Sequence, residues 1–333
     1  MAMFYINNPS TNPYFNLALE EYVLTKMPPD QHYFMLWQNE PSIIVGKGQN
    51  TAEEINPEFV KRNRIHVVRR LSGGGAVYHD LGNLNFTFIV NRSGYRAFDF
   101  QQFTAPIIRT MNALGVSSVF NGRNDLAIEG RKFSGNAQYV RKDRLLHHGT
   151  LLVNSNLDDV EKALSVPEDK IKSKGIKSIR SRVANISEYL GEPIPVAQFR
   201  DLLLEHLFQG ERDIEEYRLR EADLKGVHKI MLGRYGRTDW NFRTFSEFNI
   251  KGSHRFGKGK VEVRLGVADG RIKRCQFYGD FFGQGDLSEF EKALIGHRYD
   301  PSEIKDVLEL LDVNHYFNGI GKAGLLNLIF NPN

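Results

Sequence analysis

The chain has 333 residues, 41% hydrophobic and 25% charged, with 44 Lys and Arg against 40 Asp and Glu, a formal net charge of +4. This is the balance of a soluble globular enzyme; it excludes a disordered chain, and the length points to two domains. The mild positive charge is compatible with acidic partners but does not demand nucleic acid, and no apolar run reaches membrane-spanning length.

In chain order, Met1–Ile6 lacks the basic region and apolar core of a signal peptide. Asn12 and Pro13 precede Tyr14–Leu24, where apolar residues recur at helical spacing, so an amphipathic helix is expected there. Tyr33–Trp37, Ser42–Val45 and Ile65–Val68 read as strands. Arg69-Arg70-Leu71-Ser72-Gly73-Gly74-Gly75 follows, then Ala76-Val77-Tyr78-His79-Asp80 and Asn83, and a further strand at Phe86–Val90. Three glycines let backbone approach backbone or a ligand without a Cβ in the way. They are consistent with a tight hairpin. Alternatively, their N–H groups converge on an anion, a reading favoured by the neighbouring arginines and amides. No G-x-x-x-x-G-K-[ST] occurs, and no G-x-G-x-x-G follows a strand, so neither common nucleotide loop applies.

Phe98–Leu114 reads as a helix ended by Gly115. Asn124 and Asp125 then precede a strand at Leu126–Ile128 and a turn at Glu129-Gly130. They could bind a metal or a sugar hydroxyl, or form a plain Asx turn. Lys132 begins the next strand pattern. It is either an exposed lysine or an ammonium aimed into a cleft, able to contact a carboxylate and a phosphate together. Leu145–Val153, carrying His147 and His148, is another strand. Lys170–Arg182 is a basic, loop-like run that suits either a solvated face or a lid over phosphate.

Helices are expected near 196–208 and 218–231. The pattern is irregular from Phe242 to Phe256, strands return at Val261–Val267 and Ile272–Phe282, and helices close the chain near 288–295, 302–311 and 321–330. The fold class is α+β, a large domain of mixed and antiparallel sheets flanked by helices and a small α+β C-terminal domain. The expected boundaries are 1–246, a linker at 247–252, and 253–333. The one cysteine, Cys275, lies in the small domain, cannot form an internal disulfide and fits a reducing cytoplasm.

Arg69–Asn83 resembles the signature of lipoate–protein ligases of the A type. Gly122–Leu126, Arg131–Ala137, His147–Leu152, Lys174–Ile176 and Ser178–Val183 resemble its later motifs in the same order. The resemblance implies a fold shared with biotin ligases. It also implies activation of lipoate by ATP and Mg²⁺ to lipoyl-adenylate, then transfer to a lysine of an apo lipoyl domain. Such acceptors are the glycine-cleavage H protein and the E2 subunits of 2-oxoacid dehydrogenases.

By the same resemblance Lys132 is catalytic and touches both lipoate and the adenylate. Arg70, Gly75, Ala76, Val77 and Tyr78 would bind the nucleotide. Ser72, Gly73, Gly74, His79 and Asn83 would bind lipoate. Asn124, Asp125, His148 and Gly149 would support the site, and Lys172, Lys174 and Arg180 belong to the loop over the adenylate. No metal ligand is assigned. A cytoplasmic monomer that binds neither membrane nor nucleic acid is expected. The acyltransferases of this fold hold the acyl group as a cysteine thioester, and the large domain has no cysteine, which favours the adenylating ligase.

Overall fold

The computed structural model describes residues 3–93, 95–164, 180–192, 194–208, 215–242 and 248–331. It divides into two compact units. One comprises Met1–Val45, Ala52–Arg69 and Ala76–Asn241; the other comprises Gly46–Thr51, Arg70–Gly75 and Phe242–Asn333.

The first unit is built on strands β1 (Met3–Asn7), β2 (His32–Trp37), β3 (Ser42–Val45), β4 (His66–Arg69), β5 (Val77–His79), β6 (Asn83–Asn91), β7 (Val119–Asn121), β8 (Asp125–Ile128), β9 (Arg131–Arg141), β10 (Arg144–Leu152) and β11 (Glu215–Glu216). An eight-stranded sheet runs β11-β1-β2-β6-β10-β9-β8-β7. It is parallel around β1 and antiparallel elsewhere, giving the expected mixed sheet.

Strand alternation divides β6 between two cores. Leu84, Phe86, Phe88 and Val90 join Phe34 and the helix Gln101–Ala113 on one face. Ile89 joins Tyr33, Met35, Trp37 and the helix Pro13–Lys26 on the other.

The helix Pro13–Lys26 starts as its sequence suggests, with the Asn12 side chain accepting from the N–H groups of Tyr14 and Phe15 and proline at the first position. It is not amphipathic, however. Asn16, Glu20 and Glu21, which would form a wet face, are buried with the leucines. Each has a partner: Asn16 donates to Asn39 Oδ1 at 2.8 Å, Glu20 accepts from Thr87 Oγ1 at 2.6 Å, and Glu21 forms an ion pair with Arg234 at 3.2 Å.

A second sheet, β4-β3-β5, corrects the hairpin reading of the triple glycine. β3 lies between β4, its parallel neighbour, and β5, its antiparallel neighbour. The glycine segment therefore joins two strands that do not pair. It has no ladder of its own, and Val77–His79, read as part of the loop, is strand.

The second unit holds an antiparallel sheet of β12 (Ile250–Phe256), β13 (Gly259–Ala268) and β14 (Arg271–Gly279). Helices Leu287–Leu294, Pro301–Leu310 and Lys322–Phe330 pack with it around Val263, Phe277, Phe290 and Phe317. β12 corrects the irregular reading of Phe242–Phe256 and takes residues 250–252 out of the expected linker. It is an edge strand in which Gly252 is buried and Ile250 and Phe256, on the same face, are partly buried against the core, with His254 between them breaking the apolar alternation.

His147 lies in the first core with its ring stacked 4.6 Å from Phe103. Gln138 Nε2 is 3.0 Å from Nδ1 and Asn136 Oδ1 is 3.3 Å from Nε2, so a neutral ring with its proton on Nε2 satisfies both. Burial, with His148 adding, holds its pKa well below the ordinary value. The unfolded chain accepts that proton at about pH 6.5 and the folded chain does not, so this residue's contribution to stability falls as pH drops below that point. Between pH 7.5 and 5.5 the wild type should lose about 1.4 kcal/mol more unfolding free energy than His147→Gln, as read by urea titration. Parallel curves would assign the acid sensitivity to other groups.

Candidate active site

Lys132 sits where β9 departs from regular pairing. Ala127 opposes Lys132 but Leu126 opposes Ser134, so Phe133 is the extra residue of a bulge. Phe133 enters the core fully buried while the Lys132 side chain remains half-exposed. Its Nζ lies 2.7 Å from Asp125 Oδ1. A Cβ built on Gly135 would stand 2.7 Å from that Nζ and 2.9 Å from Cε, so the ammonium lies flat on the main chain of its own strand.

The other side of the strand is held too. Val183 forms a parallel bridge with Lys132, and Ala184 N–H donates to Lys132 O at 2.9 Å. Arg131 fastens this strap. Its Nε and Nη2 donate to Val183 O at 3.1 and 2.9 Å, and Nη1 pairs with Glu188 at 2.9 Å.

Register extends a polar row from Gly135 across the sheet. Gly135 N–H donates to Thr150 Oγ1 at 3.1 Å, Thr150 opposes Asn85, and Asn85 opposes Trp37. Directly opposed side chains share a face and stand about 5 Å apart. Asn83 donates to Asn85 Oδ1 at 2.9 Å, while its own fully buried Oδ1 has no partner among the described residues. His79 meets Asn39 Nδ2 through Nδ1 at 3.0 Å and turns its ring edge-on to Trp37.

Gly135, Thr150 and Trp37 escaped the sequence reading. A glycine inside a strand, which often marks a close approach, was the one usable signal.

Other expected residues have partners within the fold. His148 Nδ1 lies 3.0 and 3.1 Å from the carboxylate oxygens of Glu20, tying β10 to the first helix. Gly149 faces the opposite core, where a Cβ would strike the Phe86 ring and Asn136. Asn124 Nδ2 donates to Asn136 O at 2.6 Å, tying the segment before β8 to β9. Arg180 pairs with Asp158 at 2.9 Å on the surface, whereas Lys172 and Lys174 lie outside the described residues. Among the described residues no cluster of three or more His, Cys, Asp or Glu could hold a metal, and no helix is long and apolar enough to cross a membrane.

The glycine segment in the second unit is shaped by Arg70, which is buried. Its Nη2 donates to Gly73 O at 2.7 Å and Gly75 O at 2.8 Å, and its Nε donates to Ser72 Oγ at 3.0 Å. A Cβ on Gly46 would meet Gly74 O, and one on Gly73 would meet Phe281 O, so both positions exclude a side chain. Gly74 has φ 91°, which a side chain rarely tolerates. Nothing stands within 4 Å of a Cβ on Gly75. Farther along, Ala76 and Val77 are half-exposed and Tyr78 is buried, its phenol pKa pushed up by burial first and by Asp159 and Asp80 second.

A mixed sheet that lays one ammonium beside a polar row, in one chain with a glycine segment shaped by arginine, suits a ligase that activates a carboxylate. The chain belongs to the lipoyl protein ligase A/B family: residues 12–208 match its catalytic domain, and residues 246–329 match the bacterial lipoate protein ligase C-terminus. It is 49% identical to lipoate-protein ligase LplJ of Bacillus subtilis over 98% of this chain and all of that one. It is 44% identical to lipoate–protein ligase 1 of Staphylococcus aureus, over 98% of this chain and 99% of that one. The structure of P. falciparum LipL1 in complex with lipoate superposes with a TM-score of 0.77 at 25% identity, covering 93% of this chain and 95% of that one.

Arg70→Met should leave the carbonyls of Gly73 and Gly75 without their charged donor. Unfolding free energy should fall by about 2–3 kcal/mol, read from the denaturant midpoint. An unchanged midpoint would mean that the guanidinium does not hold the loop.

Proposed function

We propose that this protein is an ATP-dependent lipoate–protein ligase. An oxygen of the lipoate carboxylate attacks the α-phosphorus of ATP and pyrophosphate leaves. The neutral amine of an acceptor lysine then attacks the acyl carbon of lipoyl-AMP, forming the amide and releasing AMP. The observation that carries this reading is the Lys132 ammonium, held flat on β9 beside a polar row of the sheet. Two anions must meet before the first bond can form. A fixed cation offsets their repulsion and stabilises charge developing at phosphorus.

We assign Lys132 to both substrates, and His79 and Asn83 to lipoate. The buried Asn83 Oδ1, lacking a partner, supports an assignment to ligand binding. Ser72, Gly73 and Gly74 are assigned to lipoate, and Gly75, Ala76, Val77 and Tyr78 to the nucleotide. Arg70 acts on the nucleotide through the loop it shapes. Asp125 is the resident partner of Lys132, with Asn124, His148 and Gly149 as supports of the surrounding structure. Lys172, Lys174 and Arg180 are assigned to a basic segment that retains the adenylate.

Mg²⁺ enters with ATP, where it screens the phosphates. Such an ion commonly takes one or two carboxylates besides phosphate oxygens, and Asp125 fits that need. A covalent acyl-enzyme has no support. The one cysteine, Cys275, is buried in β14, and burial, with Glu291 adding, pushes its thiol well above the ordinary range.

The partners of this reading are apo lipoyl domains such as the glycine-cleavage H protein or E2 subunits. The setting is the cytoplasm and the working state a monomer. The catalytic region is proposed to run to residue 246 and the accessory region from β12 onward, with the linker ending at Asn249.

Incubation with ATP, Mg²⁺, lipoic acid and apo H protein should raise the acceptor's mass by one lipoyl group and release lipoate-dependent pyrophosphate. Lys132→Ala should cut lipoyl-adenylate formation by about 100-fold or more while the protein stays folded. Acyl transfer without ATP, or undiminished ATP–pyrophosphate exchange in that variant, would reject the mechanism.

A further inference from the structure

Gly135 has no conformational reason to be glycine. Its φ is outside the left-handed region, and it lies within β9, where any residue could continue the strand. Packing gives no reason either. An added Cβ would meet Lys132 Nζ at 2.7 Å and Cε at 2.9 Å; the next atom, Asp125 Oδ1, is 3.8 Å away and in ordinary contact. Gly149 on the neighbouring strand is different, because its Cβ would strike a buried ring and a buried amide. Among the described residues the sole obstacle at Gly135 is the tip of the flexible side chain proposed above to be catalytic.

We infer that Gly135 is a positioning residue: its missing Cβ is the seat on which the Lys132 ammonium lies while it reaches Asp125. The inference rests on the ligase reading for its activity readout. A methyl group there must push Nζ back by about 1 Å to restore ordinary contact. A shift of that size in a reacting constellation can cost about 100-fold in rate. The fold should not suffer, since Gly→Ala at a compatible backbone conformation is commonly stabilising.

Gly135→Ala should therefore keep or raise the thermal midpoint. It should lower kcat for lipoate-dependent ATP–pyrophosphate exchange by about 100-fold and leave KM for lipoate within about twofold. In a Lys132→Ala background the same substitution should cost almost nothing, because the side chain it displaces is gone. A lowered midpoint would mean that the glycine serves the fold. Unchanged kcat, or a raised KM for lipoate alone, would mean that the methyl is tolerated or obstructs the acyl group directly. An equal loss with and without Lys132 would place the effect elsewhere; any of these results overturns the inference. A wild-type protein without lipoate-dependent exchange would remove the ligase reading alone. The seat would then be tested by a stability cycle between Asp125 and Lys132, whose coupling Gly135→Ala should abolish.

Discussion

The pair between Lys132 and Asp125 is where sheet geometry becomes chemistry. Both side chains are about one-third exposed, and an ion pair so open to water contributes about 0–1 kcal/mol at most. Its value is therefore positional. The ammonium is fixed by the bulge at Phe133, by β8 on one side and by the Val183–Ala184 strap on the other. The bulge sends Phe133 into the core, and that burial anchors the main chain from which Lys132 projects. The lysine thus has a fixed base and a supported tip, although four flexible carbons lie between them.

The two faces of the central sheet are used differently. One is an aromatic core in which even the buried histidine is kept neutral and paired. The other carries Thr87, Asn85, Asn83 and Thr150 in successive register, which no pure packing face would need. Toward the first helix these polar groups are closed by Glu20 and His148. Among the described residues the buried Asn83 Oδ1 has no partner, and a buried acceptor left unsatisfied costs about 1–3 kcal/mol. A fold that accepts such a cost on the face bearing its fixed ammonium is organised for a ligand.

Much of this was legible before any coordinates. Ser42–Val45 alternates poorly but is short, β-branched and fully buried, and it is the strand as read. Asn12 with Pro13 announced a helix start, and the order of motifs announced the family. What failed did so for physical reasons. The wet face of the first helix was inferred from asparagine and glutamates, but those residues find partners inside. β12 is an edge strand whose inner face, Ile250, Gly252, His254 and Phe256, alternates too weakly to read as a strand. The carbonyls that Arg70 holds were not legible, because a sequence does not say which carbonyls will be near a guanidinium. Gly135 is visible as a glycine inside a strand, but what approaches it depends on a bulge that brings Lys132 back over it.

Arg70 shows why its place in the loop need not weaken an anion-binding role. A peptide plane points its C=O and the next N–H in opposite directions. With Gly75 O drawn onto the guanidinium, the N–H of Ala76 faces away from it; with Gly73 O likewise drawn in, the next N–H, that of Gly74, turns toward Phe281 O. The arginine thus orients both peptide planes, and its charge, buried beside them, is screened by solvent less than at the surface. A lysine could supply the charge but could not grip two carbonyls and the Ser72 hydroxyl in one planar fork. The loop thus needs the shape of the guanidinium as much as its charge, and Gly74, where a Cβ would stand 3.0 Å from Arg70 Nη2, is the glycine that lets the chain fold closely around it.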